Sequence, residues 1–111
     1  MAKTHYLDKE KFKKNILDSL EKGYLTNEAA KDLLLIATNL TKKFHYKNPM
    51  DREDCIGYAM LEVSKYWNRY NPNESPYPFS FFTTMIINGL AKGWGKLNPL
   101  SSSILFKLNE N

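Results

Sequence analysis

Apolar residues recur at helical spacing along four stretches of the chain, and nowhere do they alternate as in a strand. In the first stretch Phe12, Ile16 and Leu20 return every fourth position with Leu17 beside them. This predicts a helix over residues 9 to 21, stopped by Gly23. Thr26 or Asn27 caps the second, whose stripe is Ala30, Leu33, Leu34, Ala37, Leu40 and Phe44. Pro49 ends that stripe by disfavouring helical geometry in the residue before it. Asp51 is the expected N-cap of a third helix running to about Arg69, with Glu53 and Asp54 favoured near its positive end. Ile56, Ala59, Val63 and Trp67 are its inward positions, flanked by Cys55 and Tyr66. Residues 71 to 76, Asn-Pro-Asn-Glu-Ser-Pro, form a turn-rich loop. A fourth helix starts near Pro78 and turns Phe82, Met85, Ile86, Gly89 and Leu90 inward. Gly93 and Gly95 are expected to end it. The prediction is an all-α fold, a compact bundle of about four helices with short connections. Residues 1–98 form the helical domain and residues 99–111 a short flexible tail.

Length and composition narrow the field. A chain of 111 residues is one small domain, and 42% hydrophobic with 25% charged residues excludes a wholly disordered segment. Cys55 is the single cysteine, so no intramolecular disulfide framework exists. With only His5 and His45 beside it, no zinc pattern forms, and neither metal nor cofactor is expected. Cys55 reads as a small buried hydrophobe. The longest apolar run, Leu33 to Ala37, is far short of a membrane span, and the first residues lack the apolar core of a signal peptide. A soluble intracellular protein is expected. No phosphate loop, paired catalytic carboxylates or nucleophile with a base at readable spacing is present, so the chain reads as a non-enzyme.

The net charge of +4 permits contact with nucleic acid without demanding it. Its distribution says more. Five lysines lie in residues 1 to 14, and Lys42, Lys43, Lys47 and Arg52 cluster further on. Residues 15 to 41 and 53 to 74 each carry a net charge of −2. Such alternation suits a protein that touches both an acidic polymer and a basic protein surface. A solvated charge cluster is the plainer alternative.

Three pieces of the chain, in order, resemble bacterial sigma factors. Residues 53 to 72, EDCIGYAMLEVSKYWNRYNP, are similar to the family's second conserved region, with Glu53, Asp54, Ile56, Lys65 and Pro72 matching outright and Tyr70-Asn71 standing where Phe-Asp is usual. Residues 39 to 44, NLTKKF, resemble the end of the helix before it, and residues 78 to 90, PFSFFTTMIINGL, the aromatic segment after it. The closer likeness is to the late-transcription sigma factors of T-even-type bacteriophages, over roughly residues 27 to 92. Those factors end in a short apolar motif that docks on the replication sliding clamp, which residues 103 to 108, SILFKL, resemble. There are departures. Tyr58 and Met60 replace Glu and Asn, Met85-Ile86 replaces a tryptophan pair, and only Lys92 and Lys96 are basic after Thr84.

The resemblance implies a phage-encoded minimal sigma factor acting in the cytoplasm of a bacterial host. It would bind host RNA polymerase core, direct it to AT-rich late promoters and be coupled to the sliding clamp, acting as a monomer when free. Asp54, Gly57, Tyr58, Leu61 and Lys65 would form the polymerase-binding face, gripping a coiled coil of the largest subunit. Phe79, Phe81 and Phe82, with Lys42, Lys43, Lys92 and Lys96, would hold promoter DNA, Phe81 being the best candidate for stacking on an unpaired base. Trp94 is a weaker one, and for it and Phe82 a core role is equally open. Ile104, Leu105, Phe106 and Leu108 would dock on the clamp. The alternative is a sigma-mimicking regulator that binds polymerase without reading DNA.

Overall fold

The computed structural model describes residues 7–43 and 49–97. Among them lie four α-helices and one short 3₁₀ turn, with no strand. The helices are α1 (Lys9–Lys22), α2 (Asn27–Thr41), α3 (Pro49–Tyr66) and α4 (Pro78–Leu97), with the 3₁₀ turn at Trp67–Arg69. The all-helical prediction holds. Phe44, Lys47 and everything from Asn98 onward, including Ile104 to Leu108, lie outside the described residues.

Local chemistry sets the helix ends. The Asp8 carboxylate accepts from the backbone N–H groups of Glu10 and Lys11 and opens α1. Gly23 closes it at φ 83°, a left-handed geometry that costs glycine nothing. Thr26 caps α2, its hydroxyl accepting from the Ala29 N–H. The buried Ser19 hydroxyl accepts from the Thr26 N–H, so the α1–α2 corner is bonded within itself. Asp51 is not the cap of α3. The helix begins at Pro49 and Asp51 sits in its first turn, where its charge still complements the dipole.

The core joins Phe12 and Ile16 of α1, Ala29, Leu33, Ile36 and Ala37 of α2, Cys55, Ala59 and Val63 of α3, Trp67 and Tyr70, and Phe82, Ile86 and Leu90 of α4. The inward face of α2 is rotated from the predicted one. Ala29 and Ile36 are buried, Ala30 is half-buried and Leu34 is exposed. The apolar run through Leu33 to Ala37 leaves the choice of face to the neighbouring helices. Ile56 is likewise only half-buried, while Cys55 is fully enclosed.

The fourth helix corrects the reading of its glycines. It continues through Gly93 and Gly95 to Leu97. Gly89 and Gly93 are buried against α3: a β-carbon at Gly89 would meet Ala59, and one at Gly93 would meet Tyr58 and Cys55. These glycines let two helices close to near backbone contact, which outweighs their poor helix propensity.

Candidate functional site

The five residues expected to face polymerase divide. Asp54, Gly57, Leu61 and Lys65 are exposed along one face of α3, at the three- and four-residue spacing that aligns side chains on a helix. Met50 extends that lane by one turn. Met50 is 65% exposed and Leu61 51%, so the lane carries two large apolar groups in water. A β-carbon on Gly57 would meet nothing within 4 Å, so a partner can approach the backbone there. Tyr58 is a correction. It is half-buried, with its ring edge 2.8 Å from where a β-carbon of Gly93 would stand, and it belongs to the α3–α4 contact.

The aromatic segment at the start of α4 also divides. Phe82 is fully buried, edge-on to Phe12 at 5.9 Å and to Phe81 at 5.1 Å. It cannot present a face to a base, so its expected DNA contact is withdrawn in favour of the core role. Phe79 and Phe81 are half-buried on either side of it and open onto different hollows. The cause is helical spacing: residues two apart, such as Phe79 and Phe81, point to nearly opposite sides of a helix. Tyr77, just before the helix, is 71% exposed.

Phe79 lies in a hollow of about 250 Å³ between the start of α1, the end of α2 and the start of α4. Leu7, Ile36 and Leu40 line its apolar wall, and Lys9, Lys43 and Asn39 stand around it. The Lys9 ammonium sits over the Phe79 ring, 4.6 Å from its centroid. Thr83 also lines this hollow, and its buried hydroxyl makes no hydrogen bond. The apolar and aromatic walls suit a flat apolar ligand, while the Thr83 oxygen itself is closed to solvent.

Phe81 opens onto a groove of about 840 Å³ between α3 and α4. Tyr66 and Arg69 form one wall, the Arg69 guanidinium lying 4.3 Å from the Tyr66 ring centroid. Met85, Thr84, Asn88 and Lys92 continue the other. Tyr70 packs behind Phe81 at 5.2 Å and donates from its hydroxyl to the Ser75 carbonyl at 2.6 Å, pinning the loop before α4. Burial raises the Tyr70 phenol above its ordinary pKa.

The expected phosphate contacts scatter. Lys43 belongs to the Phe79 hollow and Lys92 to the Phe81 groove, where its ammonium is 3.1 Å from a Glu62 carboxylate oxygen. Lys42 and Lys96 are exposed near the ends of α2 and α4. The Arg52 Nε donates to the Thr41 hydroxyl at 2.9 Å, tying α3 to the end of α2. Trp94 is half-buried and packs on the core. Sequence reasoning missed Tyr66, Arg69 and Asn88 on the groove, and Lys9, Asn39 and Thr83 on the hollow. An aromatic three residues before an arginine on a helix was the one legible signal. The hollow is assembled from three separate elements and left none.

No helix among the described residues is long and apolar enough to cross a membrane, and no cluster of metal-binding side chains occurs among them. No known protein family, curated protein or solved structure matches the chain.

Proposed function

We propose that the protein is a phage-encoded minimal sigma factor of the late-transcription type. It binds host RNA polymerase core through the outer lane of α3, with Leu61 and Met50 as apolar anchors and Asp54 and Lys65 orienting the partner. Phe79 and Phe81 then receive unpaired bases of an AT-rich late promoter, while Lys9, Lys43 and Arg69 lie where phosphates would pass. The segment carrying Ile104, Leu105, Phe106 and Leu108 couples the complex to a sliding clamp. The observation that supports this reading is that one helix pair offers two separate surfaces. The outward lane of α3 is a different face from the one bearing Glu62 and Tyr66, which meets α4 at the groove. Both partners can therefore be held at once.

Run-off transcription with reconstituted core polymerase tests it. The reading predicts initiation at a defined position on an AT-rich late promoter, increased by a clamp loaded on the same DNA. Changing Phe106 to Ala is expected to remove the clamp response and spare basal initiation. A second reading is favoured by one observation. The Lys92 ammonium on the fourth helix is already paired with Glu62. A sigma mimic that occupies polymerase without reading DNA would give no initiation of its own and would inhibit transcription by a host sigma factor.

A further inference from the structure

The α3–α4 groove carries a carboxylate where a phosphate-binding groove would be expected to carry none. Glu62 lies on its wall, with its side chain only 20% exposed, and holds Lys92 across the groove at 3.1 Å. Its stem is confined by the helix packing. The Glu62 Cγ lies 3.3 Å from the point that a β-carbon of Gly89 would occupy. The close approach of the two helices thus fixes a negative charge at this position.

A nucleic acid strand offers the groove two surfaces, the charged backbone and the flat bases. The aromatic and sulfur groups of Tyr66, Phe81 and Met85 suit a base. Glu62 repels a phosphate at the same place and neutralises the lysine that would attract one. Arg69, against Tyr66 in the groove wall, remains a cation that can meet the backbone of the same strand. An ion pair this open to water is weak, so the device biases the choice of ligand by a modest factor and does not bar entry.

We propose that Glu62 is a selectivity residue of this groove. It keeps Lys92 engaged and disfavours phosphate, so that the groove takes an unpaired base in preference to duplex backbone. This rests on the DNA-binding reading given above, which it deepens by naming the residue that sets the groove's preference for unpaired bases.

The test is equilibrium binding of the full chain, at several salt concentrations, to a short AT-rich single strand and to the corresponding duplex. Wild type is expected to favour the single strand. Glu62→Gln is expected to raise duplex affinity about five-fold, raise single-strand affinity less than about two-fold, and steepen the duplex salt dependence by about one phosphate contact. The double variant Glu62→Gln with Lys92→Gln is expected to return duplex affinity to the wild-type value. Equal gains on both ligands, a gain that persists without Lys92, or no change from Glu62→Gln would overturn the selectivity role while leaving DNA binding in place. Wild type that binds neither ligand at low salt would overturn the DNA-binding reading itself, and this inference with it. Helicity and melting temperature unchanged in Glu62→Gln are expected alongside. A large fall in either would overturn the proposal in favour of a structural role for Glu62.

Discussion

A β-carbon on Gly89 would stand 2.6 Å from the Cα of Ala59, closer than real side chains come to a backbone atom. The contact joins α3 to α4 beside Glu62. Gly89→Ala is therefore predicted to lose about 1–3 kcal/mol of stability as the helices are forced apart. That loss exceeds the gain of about 1 kcal/mol in helix propensity. Gly57→Ala is the opposite case. Its β-carbon meets open space, so it is expected to gain up to about 1 kcal/mol. Urea denaturation of the two variants checks the pair of signs, and a stable Gly89→Ala would contradict the packing described.

Tyr70 links the groove to the loop before α4. Tyr70→Phe removes the bond to the Ser75 carbonyl and is predicted to cost about 1 kcal/mol at neutral pH. Burial holds the phenol above its ordinary 10.0, so the native state keeps that proton longer than the unfolded chain does. The phenol's contribution is intact below about pH 10 and is lost as pH rises through the folded-state value. Stability of wild type is thus expected to fall faster than that of Tyr70→Phe above pH 10. Parallel pH profiles for the two proteins would contradict the assignment.

The neighbours Phe81 and Phe82 are predicted to separate cleanly on mutation. Phe82→Ala leaves a cavity in the core and is expected to cost about 3–5 kcal/mol. Phe81→Ala is expected to stay folded and to impair promoter opening more than closed-complex binding, because stacking develops only once the strands part. A premelted template should restore most of the lost transcription. An equal defect on duplex and premelted templates would argue against stacking.

Much of the fold was legible because its boundaries rest on single residues with one strong meaning. Gly23 with its left-handed turn, Thr26 as a cap and Pro78 in a first turn all stand where the pattern predicted. Gly93 misled because glycine also permits close helix approach, and only the partner helix distinguishes the two uses. The same partner explains Tyr58. Its position on the helical wheel borders the exposed lane, and Gly93 opposite makes room for its ring. On α2 the unbroken apolar run allowed more than one inward face, and Leu34 was assigned to the wrong one. The lane of Asp54, Gly57, Leu61 and Lys65 was readable from spacing on one helix. The Phe79 hollow draws Lys9, Asn39 and Thr83 from three distant segments, which no local pattern joins.

The central claim is that this small helical domain engages RNA polymerase through the outer lane of α3. Co-purification of the full chain with bacterial core polymerase, beside Leu61→Asp, tests it most directly. Leu61 is 51% exposed, so the substitution is expected to leave helicity and melting temperature nearly unchanged. Wild type is predicted to form a stable complex at micromolar concentration and low salt, and Leu61→Asp to lose it. No complex with wild type under those conditions, or equal binding by the variant, would contradict the account.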